Sequence, residues 1–325
     1  MPPRAIVADH AVLLLAALAL DALLGSAALW RFAPHPVALL GRAIAGLDHA
    51  LNRTPQIAGA SRIHGAIMVA LLAGAALAAG AGLSVALRHL PWGSLAEALI
   101  VAVLLAQRSL FDHVRAVAAA LRTGGLDAGR AAVAHIVGRD PESLDEAGVA
   151  RAAIESLAEN FSDGVVAPAF WYLLLGLPGL FAYKTANTLD SMIGHRSPRH
   201  RHFGWAAARL DDLLNLLPAR LSGVLLAAAA LVTPGASAGK ALRTMRRDAK
   251  KHRSPNAGWP EAAAAGALGL RLAGPRRYDG LVVEDAWLGA GREEATPADI
   301  TAALWLYVAA CVVTALLVLG AALAP

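Results

Sequence analysis

Two uncharged blocks constrain this chain more than anything else in it. His64–Leu87 runs 24 residues with no acidic or basic side chain after its histidine, and Ala302–Ala324 runs 23 with none. About 18 such residues are enough for a helix to cross the hydrocarbon core of a bilayer, where every backbone N–H and C=O needs an internal partner. Only 16% of the residues are charged and the mean hydropathy is +0.52, against about a quarter charged in an ordinary soluble domain. The chain therefore reads as all-α: a polytopic, membrane-embedded helical bundle forming a single domain over residues 1–325.

Six apolar segments stand out, at roughly 6–29, 64–87, 95–111, 164–183, 213–233 and 302–324. The first resembles a signal peptide at its start, but Asp21 interrupts the run and no small-residue cleavage site comes after it, so it reads as a retained span. The third is short and holds Glu97. The fourth contains Gly176-Leu-Pro-Gly179, a helix-breaking combination. Broken backbone at membrane depth is tolerated only against protein or a wet cavity, so residues 164–193 are a candidate re-entrant hairpin. Four to six membrane segments are expected. No stretch shows period-two alternation and no repeat recurs at a fixed period. Cys311, the one cysteine, lies inside the last apolar block and reads as a small core residue.

The net charge is +5 and the isoelectric point near 9.8. With no zinc-finger spacing and no aromatic-basic platform for bases, nucleic acid is not an expected partner. Basic residues collecting in cytoplasmic loops account for the balance. Polar stretches occupy 31–62, 112–163, 184–212 and 239–300. The last is the most basic, with Lys240, Arg243, Arg246, Arg247, Lys250, Lys251 and Arg253 close together. It is expected in the cytoplasm, as a solvated helix against anionic lipid with room for a phosphate-binding role.

Chemistry-bearing residues crowd the ends of the apolar segments. Ser143-Leu-Asp-Glu146 has capping-box spacing, and in the helix it would start, Glu155, Glu159 and Asp163 fall at i, i+4 and i+8 beside Asn160. Three carboxylates on one stripe suit Mg²⁺, which is usually held by one or two carboxylates plus substrate phosphates; the plainer reading is a solvated acidic face. Asn187, Asp190 and Ser191 share a second face, flanked by Lys184 and Arg196. Asp190 is a candidate further metal ligand and the two cations candidate phosphate contacts, whereas Asn and Ser also serve as interhelical hydrogen-bonding groups. Arg209 and Asp212 have the spacing of an i, i+3 ion pair. Ser254-Pro-Asn256 and Gly258-Trp-Pro260 are loop chemistry able to offer N–H groups to an anion, with Glu261 starting the next helix. His252 reads as solvated, and His35 between two prolines as a rigid exit from the first span. Walker-type, dinucleotide-binding and H-E-x-x-H patterns are absent, so a bound nucleotide would need a site of another design.

These motifs, in order, resemble those of the membrane-bound adenosylcobinamide-phosphate synthases of cobalamin biosynthesis, the CobD/CbiB family. The carriers are Asp21-Ala-Leu-Leu-Gly25, Pro34-His-Pro36, Gly138-Arg-Asp140, Ala153-Ile-Glu-Ser-Leu-Ala-Glu-Asn160 and Ser162-Asp-Gly-Val-Val-Ala-Pro168. They continue with Asn187-Thr-Leu-Asp-Ser-Met192, Phe203-Gly-Trp205, Arg209-Leu-Asp-Asp212 and Ser254-Pro-Asn-Ala-Gly-Trp-Pro-Glu261. The chain departs from the pattern after Gly25, where Ser26-Ala-Ala replaces an acidic residue and proline, and at His195, where tyrosine is common.

The resemblance implies an enzyme, an ATP-dependent acid–amine ligase. It would join adenosylcobyric acid to (R)-1-aminopropan-2-ol O-phosphate, or to aminopropanol, with ATP as co-substrate and Mg²⁺. It also implies roles: Glu155, Glu159, Asp163 and Asp190 on the metal; Asn160, Asn187 and Ser191 orienting phosphate or carboxylate; Lys184, Arg196, Arg209, Asp212, Arg247 and Lys250 around phosphates; Asn256 and Glu261 lining the pocket. Membrane lipid and other membrane-associated cobalamin-assembly enzymes are the further expected partners, and the site is expected on the cytoplasmic side of a cell inner membrane. Two other classes compete with it. A polytopic prenyltransferase would want paired D-x-x-x-D motifs, whereas Asp211 and Asp212 are adjacent. A corrinoid or ion transporter would favour inverted repeats, and none is visible.

The expected topology holds one tension. If all six segments span, stretch 184–212 falls on the side opposite 31–62, 112–163 and 239–300. A re-entrant 164–193 returns it but sends 239–300 across.

Overall fold

The computed structural model describes residues 3–25, 35–53, 57–138, 140–195, 197–278 and 281–323. Arg196, Pro34, Arg139, the Ser26-Ala-Ala departure and the end of the first apolar segment lie outside these residues.

The described chain is helical almost throughout. In order it forms α1 (Pro3–Leu24), α2 (Pro36–Leu51), α3 (Ala58–Arg88), α4 (Gly93–Leu104), α5 (Gln107–Val133), α6 (Glu146–Phe161) and α7 (Ala167–Leu189). After them come α8 (Trp205–Leu214), α9 (Leu216–Ala229), α10 (Ala238–Asp248), α11 (Gly258–Leu268) and α12 (Pro297–Leu323). Among the described residues, five stretches are long and apolar enough to cross a membrane: Val7–Leu24, Ala58–Arg88, Gly93–Val133, Glu146–Gly194 and Pro297–Leu323. The pair α8 and α9, bent by 48°, raises the number to as many as six. Leu71, Leu231, Leu316 and Leu317 are each more than half exposed, an outward face that water would penalise and lipid accepts. The protein is a polytopic helical membrane protein.

Several local expectations change. The helix over Glu155 starts later than the capping-box spacing suggests. Ser143 closes a short 3₁₀ turn, its hydroxyl donating to the Asp140 carbonyl at 2.8 Å, and Leu144 is extended. Asp145 is therefore the N-cap, accepting the Gly148 N–H at 2.7 Å. The third apolar segment is not one run to 111: Leu105, extended at φ −80° and ψ 154°, ends α4. Stretch 239–300 also carries two small antiparallel pairs, β1 (Leu272–Ala273) with β4 (Trp287–Leu288) and β2 (Arg276–Tyr278) with β3 (Leu281–Val283). Strands of two or three residues are too short to show alternation in a sequence.

The chain packs as two compact units. The first comprises Met1–Ala106, Ala167–Asn215 and Val318–Pro325; the second Gln107–Val166 and Leu216–Leu317. In the first, Ile44, Met68, Val69, Leu189, Ile193, Phe203 and Ala207 form a buried apolar cluster. Helix α7 in this unit is broken where Gly176-Leu-Pro-Gly179 lies, because Gly176 takes φ 64°, a left-handed conformation costly for any residue with a Cβ. His10 of α1 lies against the break, its Nδ1 3.2 Å from the Leu173 carbonyl oxygen. Two residues on, Pro178 has no N–H to give. Nearby, the Tyr172 hydroxyl donates to Glu97 Oε1 at 2.8 Å, which gives a carboxylate in an apolar helix the partner it needs. In the second unit Phe161 meets Tyr307 edge to face, centroids 5.7 Å apart.

Candidate functional site

In the second unit, α6 carries the acidic motif and ends at Phe161, where the ladder opens into a π turn over Ser162–Val166. A π turn inserts an extra residue per turn and re-aims the side chains beyond it. Asp163 lies inside it, so the i, i+4, i+8 stripe does not form as expected. Glu155 is 3% exposed, and its Oε1 accepts the Ala273 N–H at 2.8 Å. Ala273 holds φ 61°, unusual for a residue with a side chain, and the buried carboxylate fixes the strand that contains it. Glu159 and Asn160 are exposed and Asp163 is half-buried. Asn160 donates to the Ser156 carbonyl at 2.9 Å, and the Ser156 hydroxyl donates to the Ile136 carbonyl at 2.7 Å. Among the described residues, no three His, Cys, Asp or Glu side chains gather around one ion. Of the four carboxylates expected on a metal, Glu155, Glu159 and Asp163 belong to the second unit and Asp190 to the first. One or two carboxylates completed by substrate phosphates remains the arrangement these residues fit.

The basic stretch of this unit folds as an amphipathic helix. Ser237 caps α10, and Lys240, Arg243, Arg246 and Arg247 lie on its exposed face. Arg247 grips the buried Asp248 through two bonds of 2.8 and 2.6 Å. Lys251 is 2.7 Å from the same carboxylate, and the Gly289 N–H donates to it at 2.9 Å. The Arg247 bonds outweigh the effect of burial and, with Lys251 and Gly289, hold Asp248 far below the usual carboxylate range. Arg247 therefore orders the chain around Asp248, while Lys250 is exposed. Beyond the loop, Glu261 is 2% exposed in the first turn of α11, with His252 Nε2 3.7 Å from its Oε1. His252 is thus packed against a carboxylate rather than solvated. Asn256 is buried, 3.5 Å from Arg220 Nη1, and Arg220 stacks on Trp259 at 4.6 Å.

In the first unit, Asn187 lies near the end of α7, and the helix opens into a second π turn over Asp190–Gly194. Both acidic motifs thus contain this rare element. Asn187 Nδ2 is 3.4 Å from Asp211 Oδ1, Asn215 donates to Asp211 Oδ2 at 3.0 Å, and the Tyr183 hydroxyl lies 3.0 Å from Asn215 Oδ1. Buried Asp211 is the centre of this network, whereas the sequence reading weighted its neighbour Asp212. Asp212 pairs with Arg209 at 3.4 Å, as the i, i+3 spacing suggests. The Ser191 hydroxyl donates to the Asn187 carbonyl at 2.9 Å. Lys184 lines an apolar cavity of about 650 Å³ with Phe181, Leu72 and Val103. His35 caps α2, accepting the Val37 N–H at 3.2 Å, and burial holds it below its ordinary value, with the Lys184 charge acting the same way.

Sequence reasoning missed one cluster entirely. Asp48 of α2 binds Asn52 at 3.0 Å, Arg199 at 2.9 Å and His200 at 3.3 Å. Burial raises this carboxyl, but the three hydrogen bonds outweigh it and leave it below its ordinary value. No local spacing signals partners about 150 residues apart.

The pattern of motifs is that of a known family. The family model described as CobD/Cbib protein matches residues 14–307. The chain belongs to the CobD/CbiB family. A cobalamin biosynthesis protein CobD from a Sinorhizobium species is 56% identical over 321 residues, 97% of this chain and 99% of that protein. The Brucella melitensis biotype 1 protein of the same name is 54% identical over 300 residues, covering 91% of this chain and 92% of its own. The one from Rhodobacter capsulatus is 46% identical over 300 residues, with 92% and 93% covered. No solved structure matches the chain.

Proposed function

We propose that this membrane protein acts in cobalamin biosynthesis as an ATP-dependent ligase, forming the amide between adenosylcobyric acid and (R)-1-aminopropan-2-ol O-phosphate, or free aminopropanol. The observation that carries this reading is membership of the CobD/CbiB family over residues 14–307. It fits a chain whose polar motifs adjoin apolar helices, since the corrinoid substrate is large and amphipathic.

Amide formation from a carboxylate requires activation. The corrinoid carboxylate oxygen attacks the γ-phosphorus of ATP, ADP leaves, and an acyl phosphate results. The amine nitrogen then attacks the acyl carbon, inorganic phosphate departs and the amine proton is lost to a base. Positioning and charge stabilisation dominate such phosphoryl transfer. Magnesium, entering with ATP, would spread the charge developing on the transferred phosphoryl. Glu159 and Asp163 suit it, as Glu155 is committed to the Ala273 N–H. In the first unit Arg209 and Lys184 are the candidate phosphate cations and Asn187 a candidate amide donor; in the second unit Lys250 and Asn160 are their counterparts. Buried Glu261, with His252 Nε2 3.7 Å from its Oε1, is a candidate pocket-lining group. The motif-bearing stretches are assigned to the cytoplasmic face of the inner membrane, where ATP is present.

The test is the full chain in native membranes with adenosylcobyric acid, aminopropanol phosphate and Mg-ATP, following the amide product by mass and ADP by coupled assay. Product and ADP in equal amounts are expected, with at least a tenfold loss in Glu159→Gln. Corrinoid uptake or binding without nucleotide turnover would replace the ligase with a transporter.

A further inference from the structure

The first unit holds a second pocket, of about 530 Å³, lined by Arg62, Arg201, His202, Trp205 and Arg209. Three guanidinium groups in one pocket repel one another, and the sequence spreads them from position 62 to position 209, so the fold has to bring them together. It does so through two glycines. A Cβ on Gly65 of α3 would stand 1.9 Å from the Phe203 carbonyl oxygen, and one on Gly204 would stand 1.7 Å from that of Ile193. Only residues without a side chain allow α3, the 197–204 turn and the start of α8 to meet this closely.

The balancing charge is small. Arg209 faces Asp212 at 3.4 Å. Arg62 lies over the Trp205 ring at 5.9 Å, which orients its guanidinium. Neither Arg62 nor Arg201 forms an ion pair with a described residue. His202 Nδ1 is closed off from solvent with no hydrogen-bond partner among the described residues. Three planar cations against one carboxylate, with an unsatisfied imidazole nitrogen beside them, match an anion with several acceptor oxygens. A phosphate group, which takes guanidinium forks two bonds at a time, is that anion.

We propose that Arg62, Arg201 and Arg209 form a phosphate-binding pocket. The proposal rests on and extends the ligase reading, which used Arg209 without Arg62 or Arg201, by giving that residue two partners. Two sources share the chemistry: a soluble phosphorylated substrate and the headgroup of an anionic lipid. Ile63 and Ile67, 62% and 47% exposed on α3, and the exposed Trp205 put the pocket beside a lipid-facing surface, where basic pockets between helices hold headgroups.

The experiment reads binding rather than turnover, so its failure is separate from failure of the ligase reading. The full chain is placed in nanodiscs of phosphatidylcholine and titrated with inorganic phosphate by calorimetry. In parallel, nanodiscs containing phosphatidylglycerol are probed by native mass spectrometry for lipid retained after detergent release. Wild type is expected to bind saturably in one arm, which names the source. R62Q/R201Q is expected to bind about tenfold more weakly for each guanidinium removed, with R62K/R201K in between because charge without the fork recovers only part. If the double variant melts early, the pair R201Q and R201K answers the same question. Equal binding by wild type and R62Q/R201Q, or no binding by wild type in both arms, overturns the proposal.

Discussion

Glu155 has two chemical roles open to it, and one pair of substitutions separates them. As a metal ligand it must stay anionic, so Glu155→Gln would abolish amide formation and leave the fold intact. As an anchor it needs only an oxygen that accepts the Ala273 N–H, at 2.8 Å in the structure. A hydrogen bond to a charged group contributes about 1.5–3 kcal/mol and a neutral one about 0.5–1.5. Glu155→Ala removes the acceptor, leaves a buried N–H unpaired and opens a small void, so a loss of about 2–3 kcal/mol is expected. At about 2–4 °C per kcal/mol for a unit of this size, the melting midpoint falls by about 4–12 °C. Glu155→Gln retains the amide oxygen and loses about 1 kcal/mol, or about 2–4 °C. The assay is thermal melting in detergent beside amide formation across a Mg²⁺ titration. The anchor role expects Gln to keep turnover within about threefold of wild type, with an unchanged Mg²⁺ requirement. Wild-type melting of Glu155→Gln with turnover abolished, or restored only by excess Mg²⁺, refutes it and returns Glu155 to the metal.

The same geometry sets three further outcomes. Gly176→Ala forces a Cβ into a backbone at φ 64° and to within 2.9 Å of the His10 ring, so a loss of at least about 1–2 kcal/mol should appear in melting curves; a neutral result would mean that α7 is not broken there. Tyr172→Phe leaves Glu97 without its 2.8 Å donor, for a loss of about 1.5–3 kcal/mol in the same measurement. Asp48→Asn tests the depressed carboxyl. Its folded value lies below the unfolded one, so its stabilisation is complete above about pH 4 and fades as pH falls through the folded value. Wild type should therefore melt above Asp48→Asn at neutral pH, and the gap should close in acid; a gap that widens in acid would reverse the sign of the shift.

The features legible in the sequence were those a single element encodes. The spans came from uncharged length, the break at Gly176 from Gly and Pro in one tetrapeptide, and the Arg209–Asp212 pair from i, i+3 spacing. The illegible features depend on partners brought from far along the chain. Glu155 meets Ala273 across 118 positions and Asp48 meets Arg199 across 151. No periodicity carries that information, so a carboxylate that fixes a strand reads from sequence as a carboxylate awaiting a cation.

The π turns explain why the local rules failed where the family motifs are densest. Helical spacing puts Glu155, Glu159 and Asp163 on one stripe only if the ladder is regular, and Ser162–Val166 interrupts it before the stripe is complete. The same happens at Asp190–Gly194, where the Asp190 carboxylate folds back over Gly194, so that a Cβ there would stand 1.9 Å from Asp190 Oδ1 and push the side chain aside. A π turn surrenders regular hydrogen bonding, and it persists when the redirected side chains are worth more than the bonds lost. Two such turns, each within an acidic motif, are departures from local consistency of the kind that functional positions impose on a fold. That argues for Asp163 and Asp190 being aimed by the backbone rather than by helical spacing, and it makes the register of these turns, more than the count of carboxylates, the property that substitutions at Gly164 and Gly194 would disturb.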